Sequence, residues 1–315
     1  MTDYGAVLRE RLDSDGLLVC PGVHDPLTAA VADAVGFDAI YMTGYGTSLS
    51  KTGYPDAGFI TMPEMISNAT NIQERIDVPL VADADNGYGN ATNVVRTVRE
   101  YIKAGVGAIH LEDQTFPKRC GHTKGRRVIP REEAVGKIAA AADVRDDRAP
   151  NFVLIARTDA RGTGDGSLDE AIIRANEFLE AGADVAFVEG PTDESELEHV
   201  GREVDGPLVY NFVGETGTSP YVDLPSLESW GFDIVLFPIA ATLSTIANVY
   251  SDFSDFADDP VAAMRRIDEN FDAQPVGSFH EFAGFPEVIE WERQYLPDEE
   301  QDKYEGSLGD DLESD

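Results

Sequence analysis

The sequence predicts an α/β fold, a (β/α)8 barrel of the TIM type with extra C-terminal helices. Two observations carry this. Eight short apolar runs alternate with segments of helical spacing, and alternating strands and helices imply parallel pairing. Eight such units over about 240 residues match the size of a closed barrel. An open doubly wound sheet is the alternative, but no Gly-x-Gly-x-x-Gly turn follows the first run.

In chain order the strands are expected at 17–20, 36–41, 78–82, 105–110, 152–156, 182–187, 208–212 and 231–236. Four of them share one grammar, in which Gly36, Gly105, Gly182 or Gly231 ends a helix and a buried strand follows. Helical spacing fills 26–35, 63–76, 91–104, 131–142 and 167–181, and 240–250 reads as the last barrel helix. Two further helices, 260–271 and 285–296, fall outside the barrel count. Residues 1–296 are therefore expected to form one barrel domain with C-terminal helices. The stretch 297–315 is acidic, almost without apolar residues, and expected to be a disordered tail.

Composition narrows the function. The 315 residues include 59 acidic and 24 basic ones, a formal charge of -35. Only six of the basic residues are lysine. Such a surface repels nucleic acid and anionic membranes, so neither is expected as a partner. The acidic residues are spread through the chain, which fits a halophilic protein working in concentrated salt, where screening lengths fall to about 3 Å or less. No apolar run approaches the length of a membrane span, and the start of the chain lacks the regions of a signal peptide. The two cysteines, Cys20 and Cys120, give no disulfide framework. A reducing cytoplasm is expected.

Chemistry in such a barrel gathers where strands end and βα loops begin. The second strand runs into Tyr41, Thr43, Gly44 and Tyr45, a glycine-broken loop able to offer backbone N–H groups to an anion. The third ends in Asp83 and Asp85, which alternation places on one face. Paired carboxylates there suit a hard cation such as Mg2+. Later strand ends supply His110 and Glu112, Arg157 and Asp159, Glu189, and Asn211. Singly, an aspartate after a strand is commonly a turn or cap residue. Polar groups at consecutive strand ends are harder to dismiss. After Glu112 a loop concentrates Lys118, Arg119, His122, Lys124, Arg126 and Arg127 around Cys120. Basic surroundings of this kind are expected to stabilise the thiolate. A solvated loop with an incidental cysteine is the plainer alternative.

These residues carry a resemblance. Over roughly 5–295 the chain resembles the isocitrate lyase and phosphoenolpyruvate mutase superfamily, in particular its 2-methylisocitrate lyase and isocitrate lyase branch. The most specific match is Lys118, Arg119, Cys120, Gly121 and His122, which resembles the lyase signature absent from the mutase and decarboxylase branches. Pro55 with Asp56, Asp83 with Asp85, Arg157 with Asp159, Glu189, and Asn211 with Thr218 and Ser219 support it. The resemblance implies a Mg2+-dependent barrel, usually a homotetramer with exchanged C-terminal helices. It implies cleavage of a tricarboxylate to succinate plus pyruvate or glyoxylate. Asp85, with Asp56, Asp83 and Glu112 through waters, would hold Mg2+. Arg157, His122, Asn211, Thr218 and Ser219 would stabilise the carbanion, and Cys120 would protonate it. Tyr41 and metal-bound water both stand open as acceptor of the hydroxyl proton. Isocitrate lyases resembling this chain carry a tryptophan and a threonine where Phe187 and Leu236 stand, so room for the methyl of 2-methylisocitrate is expected. A dimethylmalate-type lyase, an oxaloacetate decarboxylase, a phosphonopyruvate or phosphoenolpyruvate mutase, and a non-catalytic metabolite-binding barrel are the alternatives.

Overall fold

The computed structural model of the protein describes residues 2–14, 16–297 and 300. The chain starts with α1 (Tyr4–Leu12), β1 (Leu18–Val23), α2 (Pro26–Val35), β2 (Ile40–Met42), α3 (Gly44–Thr52) and α4 (Met62–Arg75). It continues through β3 (Leu80–Asp83), α5 (Ala91–Lys103), β4 (Ala108–Glu112), α6 (Arg131–Arg148), β5 (Val153–Thr158) and α7 (Leu168–Glu180). Then follow β6 (Val185–Val188), α8 (Glu194–Glu203), β7 (Leu208–Asn211), α9 (Leu224–Ser229), β8 (Ile234–Phe237), α10 (Ala240–Asp258), α11 (Pro260–Asp272), α12 (Phe279–Ala283) and α13 (Phe285–Tyr295).

All eight expected strands are present, and they pair in parallel in sequence order. β8 returns to β1 with Leu18 opposite Ile234 and Cys20 opposite Leu236, which closes the barrel. Local chemistry sets the helix ends. Asp25 and Thr28 form a capping box at the start of α2, with Pro26 inside its first turn. Gly36 ends that helix at φ 91°, a left-handed conformation that costs a glycine little. Inside the barrel, Leu18, Cys20, Tyr41, Val81, Ala108, Val153, Ile155, Val185, Phe187, Val209, Ile234 and Leu236 pack into one core. The opposite strand faces pack against the helices, as with Ile109 and Leu111 of β4 beside Val94 and Val98 of α5.

Two compact units emerge, Met1–Ser244 and Thr245–Asp315. The second holds most of α10 and all of α11 to α13. Within it Arg266 pairs with Asp252 at 3.2 Å and Asp255 at 2.5 Å, and Phe271 meets Phe279 edge to face. Ile246, Val249, Tyr250, Phe253, Val261, Met264, Trp291 and Tyr295 expose apolar surface. Among the described residues no helix is long and apolar enough to cross a membrane. The expected acidic tail lies outside the described residues except at Pro297 and Glu300.

The structure departs from expectation in its helices. The glycine-broken segment after β2 is helical from Gly44 onward, and α1, α8 and α9 were not marked by the spacing. α6 reaches Arg148 and α10 reaches Asp258, both beyond the expected ends. Short or polar helices that rest on a barrel draw their stability from packing more than from their own propensity.

Candidate active site

Alternation carries the apolar interior of the barrel upward into a polar layer. Val81 is followed two residues on by Asp83, Ala108 by His110 and Glu112, Ile155 by Arg157, Phe187 by Glu189, and Val209 by Asn211. Strand register sets Asp83 beside His110 and Glu112 beside Arg157. Residues as distant in sequence as Asp83 and Asn211 thus gather at the C-terminal face.

One half of this layer is a carboxylate cradle. Asp83 accepts hydrogen bonds from the backbone N–H of Asp85 at 2.8 Å and of Gly44 at 3.1 Å. A Cβ on Gly44 would overlap the Asp83 carboxylate, so only glycine lets the start of α3 come this close. The N–H expected to meet an anion there does so, and the anion is a side chain of the protein itself. Asp85 sits at φ 48°, a strained conformation for a residue with a Cβ. Lys118 reaches in from the loop after β4, with its amine 2.6 Å from Asp56 and in direct contact with Asp85. Burial alone would discharge Lys118, but Asp56, Asp85 and Asp83 outweigh it and keep the amine charged. The acids remain undercompensated. Burial pushes Asp85 up to about 6, against the pull of Lys118, and pushes Glu112 well above the carboxylate range. Glu112 Oε1 is buried with no hydrogen-bond partner among the described residues.

These features fit Mg2+. The donors are hard oxygens, their negative charge exceeds that of the one ammonium among them, and an orphaned oxygen faces the cluster. Among the described residues no three His, Cys, Asp or Glu side chains close into a ready cage.

The other half gathers donors. Arg157 lies in a fork with Asp159, Nε at 2.9 Å and Nη2 at 3.0 Å. Its Nη1 is 3.3 Å from Glu189, and its guanidinium sits 5.0 Å over the Phe187 ring. His122 Nε2 lies 3.0 Å from Glu189 Oε1. The backbone N–H of Thr218 donates to His122 Nδ1 at 3.1 Å, so Nε2 carries the hydrogen. Asn211 Nδ2 donates to Glu189 at 2.9 Å, and Ser219 donates to the Asn211 carbonyl at 2.7 Å. Burial would raise Glu189, but Arg157 and His122 hold it well below the usual carboxylate range.

Cys120 stands between the halves, its N–H on the Asp56 carbonyl at 3.1 Å. The expected thiolate stabilisation is not found. Burial pushes the thiol up to about 11, and Asp56 and Glu189 add to the rise. The neighbouring basic residues point elsewhere: Lys118 to the cradle, Arg126 to Asp159, and Arg119, Lys124 and Arg127 outward. Tyr41 is buried with its hydroxyl 2.7 Å from His110 Nε2. Burial, followed by Asp83, raises its pKa well above a free phenol, which leaves it a poor base. Burial and Arg157 keep His110 neutral.

Thr43 is buried, with its N–H on the Val23 carbonyl, and Tyr45 is half-buried. Phe187 and Leu236 are packed inside the barrel, Phe187 as the floor beneath Arg157 and Leu236 in register with Asn211. Sequence reasoning missed Lys118 as the ion within the cradle and Arg126 as a buried partner of Asp159.

Fold and site together define a (β/α)8 enzyme with an oxygen-rich cation cradle beside a buried guanidinium and a protonated thiol. Residues 8–256 match the phosphoenolpyruvate phosphomutase family, and the chain belongs to it. It is similar to 2,3-dimethylmalate lyase of Eubacterium barkeri, 48% identical over 236 residues, 75% of this chain and 80% of that protein. It is 40% identical to 2-methylisocitrate lyase of Aeropyrum pernix over 235 residues, 75% and 74% of the two chains. A solved phosphonopyruvate hydrolase in complex with oxalate and Mg2+ superimposes with a TM-score of 0.81 at 31% identity, over 94% of this chain and 100% of that one. The chain is accordingly an enzyme, a carbon–carbon lyase of the isocitrate lyase and phosphoenolpyruvate mutase superfamily.

Proposed function

We propose that the protein cleaves a 2-hydroxy-2-methyl acid of the 2-methylisocitrate or 2,3-dimethylmalate kind, in a Mg2+-dependent retro-aldol reaction that releases pyruvate. The observation that carries this reading is Cys120, whose thiol pKa is raised by burial, on a loop whose next residue, Gly121, packs closely against Arg157 and Glu189. A mutase has no use for an acid there. Asp85, with Asp56, Asp83 and Glu112, would hold Mg2+. When bound, the ion supplies Lewis-acid polarisation of the substrate hydroxyl and its neighbouring carboxylate. The substrate hydroxyl gives its proton to a carboxylate of the cradle, where Glu112 Oε1 has no partner among the described residues, and as the C2–C3 bond breaks its electron pair moves onto C3 and into the adjoining carboxylate. Arg157, the Asn211 amide and the Thr218 hydroxyl are the donors for that charge, while the Ser219 hydroxyl, spent on the Asn211 carbonyl, holds that strand end in place. His122, 3.0 Å from Glu189 and accepting from the Thr218 N–H, fixes the wall beside them. Cys120 then gives its proton to C3. Pyruvate, with the carbonyl at the former carbinol carbon, and a saturated acid leave.

The methyl preference is supported by the names of both relatives and by Phe187 and Leu236, which leave the barrel floor apolar. Incubating the protein in high salt with 2-methylisocitrate, 2,3-dimethylmalate, isocitrate, oxaloacetate and phosphonopyruvate, with and without Mg2+, tests this reading. Pyruvate is expected from the first two with Mg2+ present. One methyl group is worth about 1–3 kcal/mol, so a roughly tenfold higher kcat/KM for isocitrate would overturn the methyl assignment. Turnover of phosphonopyruvate or oxaloacetate alone would overturn the lyase reading. We further propose a homotetramer with exchanged C-terminal helices, supported by the exposed apolar residues of α10, α11 and α13. Light scattering in molar KCl gives the mass.

A further inference from the structure

Three of the six basic groups between 118 and 127 face outward, and Lys118 and His122 belong to the chemistry. Arg126 is the remaining one. It is buried, at 8% exposure, although it stands on a surface loop, where an arginine ordinarily stays in water. Its Nη1 donates to Asp159 Oδ1 at 2.9 Å, and its Nε to the Thr123 carbonyl of its own loop at 3.2 Å. The Asp159 carboxylate that receives it also holds the fork of Arg157. Both walls around the guanidinium are glycine. A Cβ on Gly162 would overlap it, and one on Gly190 would stand 4.0 Å from its terminal nitrogens. Asp159 is itself pinned, with its N–H on Asp113 at 2.9 Å, and Asp113 takes Thr158 at 2.7 Å and Arg174 at 3.0 Å.

We propose that Arg126 is a positioning residue, a latch seated between Gly162 and Gly190 on Asp159, which holds the 113–127 loop down so that Cys120 and His122 face the Arg157–Glu189 pair. Only the kinetic part of its test rests on the lyase reading. An unlatched loop lets solvent and reagent reach the Cys120 thiol, which is then open to alkylation. Cys20, sealed inside the barrel, stays silent and serves as an internal control.

Two variants approach the slot from opposite sides. Arg126→Gln removes the charge. Gly162→Ala keeps every charge and fills the seat with a methyl group. Both are compared with Arg126→Lys, which retains the charge without the two-pronged grip and is expected to fall between. At neutral pH, alkylation of Cys120 by iodoacetamide, read by mass spectrometry, is expected to accelerate about tenfold or more in Arg126→Gln and Gly162→Ala. In the same two variants kcat should fall about tenfold or more while KM changes less than about threefold, because the loss lies in placing the proton donor. A merely structural ion pair would lower the melting temperature and leave both readouts alone. Alkylation within about twofold of wild type in both variants overturns the latch. Faster alkylation with unchanged kcat overturns its positioning role. If the wild type turns over none of the candidate acids, the lyase reading falls, and alkylation still decides the latch.

Discussion

Lys118 and Cys120 lie two residues apart on one loop and divide the site's electrical work. The Lys118 ammonium stands between Asp56 and Asp85, where it competes with any divalent cation for the same oxygens. Lys118→Met should therefore bind Mg2+ more tightly, by about tenfold in titration calorimetry, since two charges a few ångströms apart repel by about 1 kcal/mol even in bulk water. Unchanged or weaker binding would show that the amine and the ion occupy separate places. On the proposed reading, Cys120 acts by keeping its proton. With the thiol raised to about 11, the acid form persists across the neutral range and is lost only as pH climbs through that value. Cys120→Ser puts a far weaker acid in its place. We expect turnover to drop by about 10²–10⁴, with calorimetric binding of Mg2+ and pyruvate retained. Activity within about tenfold of wild type would remove the thiol from the proton transfer.

At the scale of elements, α3 shows how far a sequence can be read. Its composition, with Gly44 and Gly46 in the first turn, is poor for a helix, and the segment reads locally as a loop. The helix forms because those glycines are the residues that fit against Asp83 and Thr242. Gly44→Ala should leave the barrel folded by circular dichroism yet weaken Mg2+ binding about tenfold or more, because the new methyl group displaces a cradle carboxylate. Wild-type affinity in that variant would separate α3 from the cradle. The strands were legible because a buried parallel strand is an apolar run between a glycine and a polar end, as in the segment from Gly105 to Glu112. The acids and Arg157 were legible because two-residue alternation is a local property. The latch was not, since which of the loop's three arginines turns inward depends on Gly162 and Gly190, far along the chain. The acidity of Cys120 was misread for the same reason. Charges adjacent in sequence pointed away from the thiol, and its burial was set by remote elements.

For the whole molecule, a charge of -35 on 315 residues has to be tolerated by the folded state. Screening shortens from about 10 Å at 0.1 M salt to about 3 Å at 1 M, so the melting temperature should rise between 0.1 and 2 M KCl. A flat profile in differential scanning calorimetry would end the halophilic reading. The division of the site also follows the order of synthesis. Gly44, Asp56, Asp83, Asp85, Glu112 and Lys118 all precede residue 120, whereas Arg157, Glu189, Asn211, Thr218 and Ser219 all follow it. A ribosome therefore releases the carboxylate cradle first and the donor half of the site last. At the level of the gene, a recombination crossover in the α6 coding region would exchange the donor half between relatives and leave the cradle with its original parent.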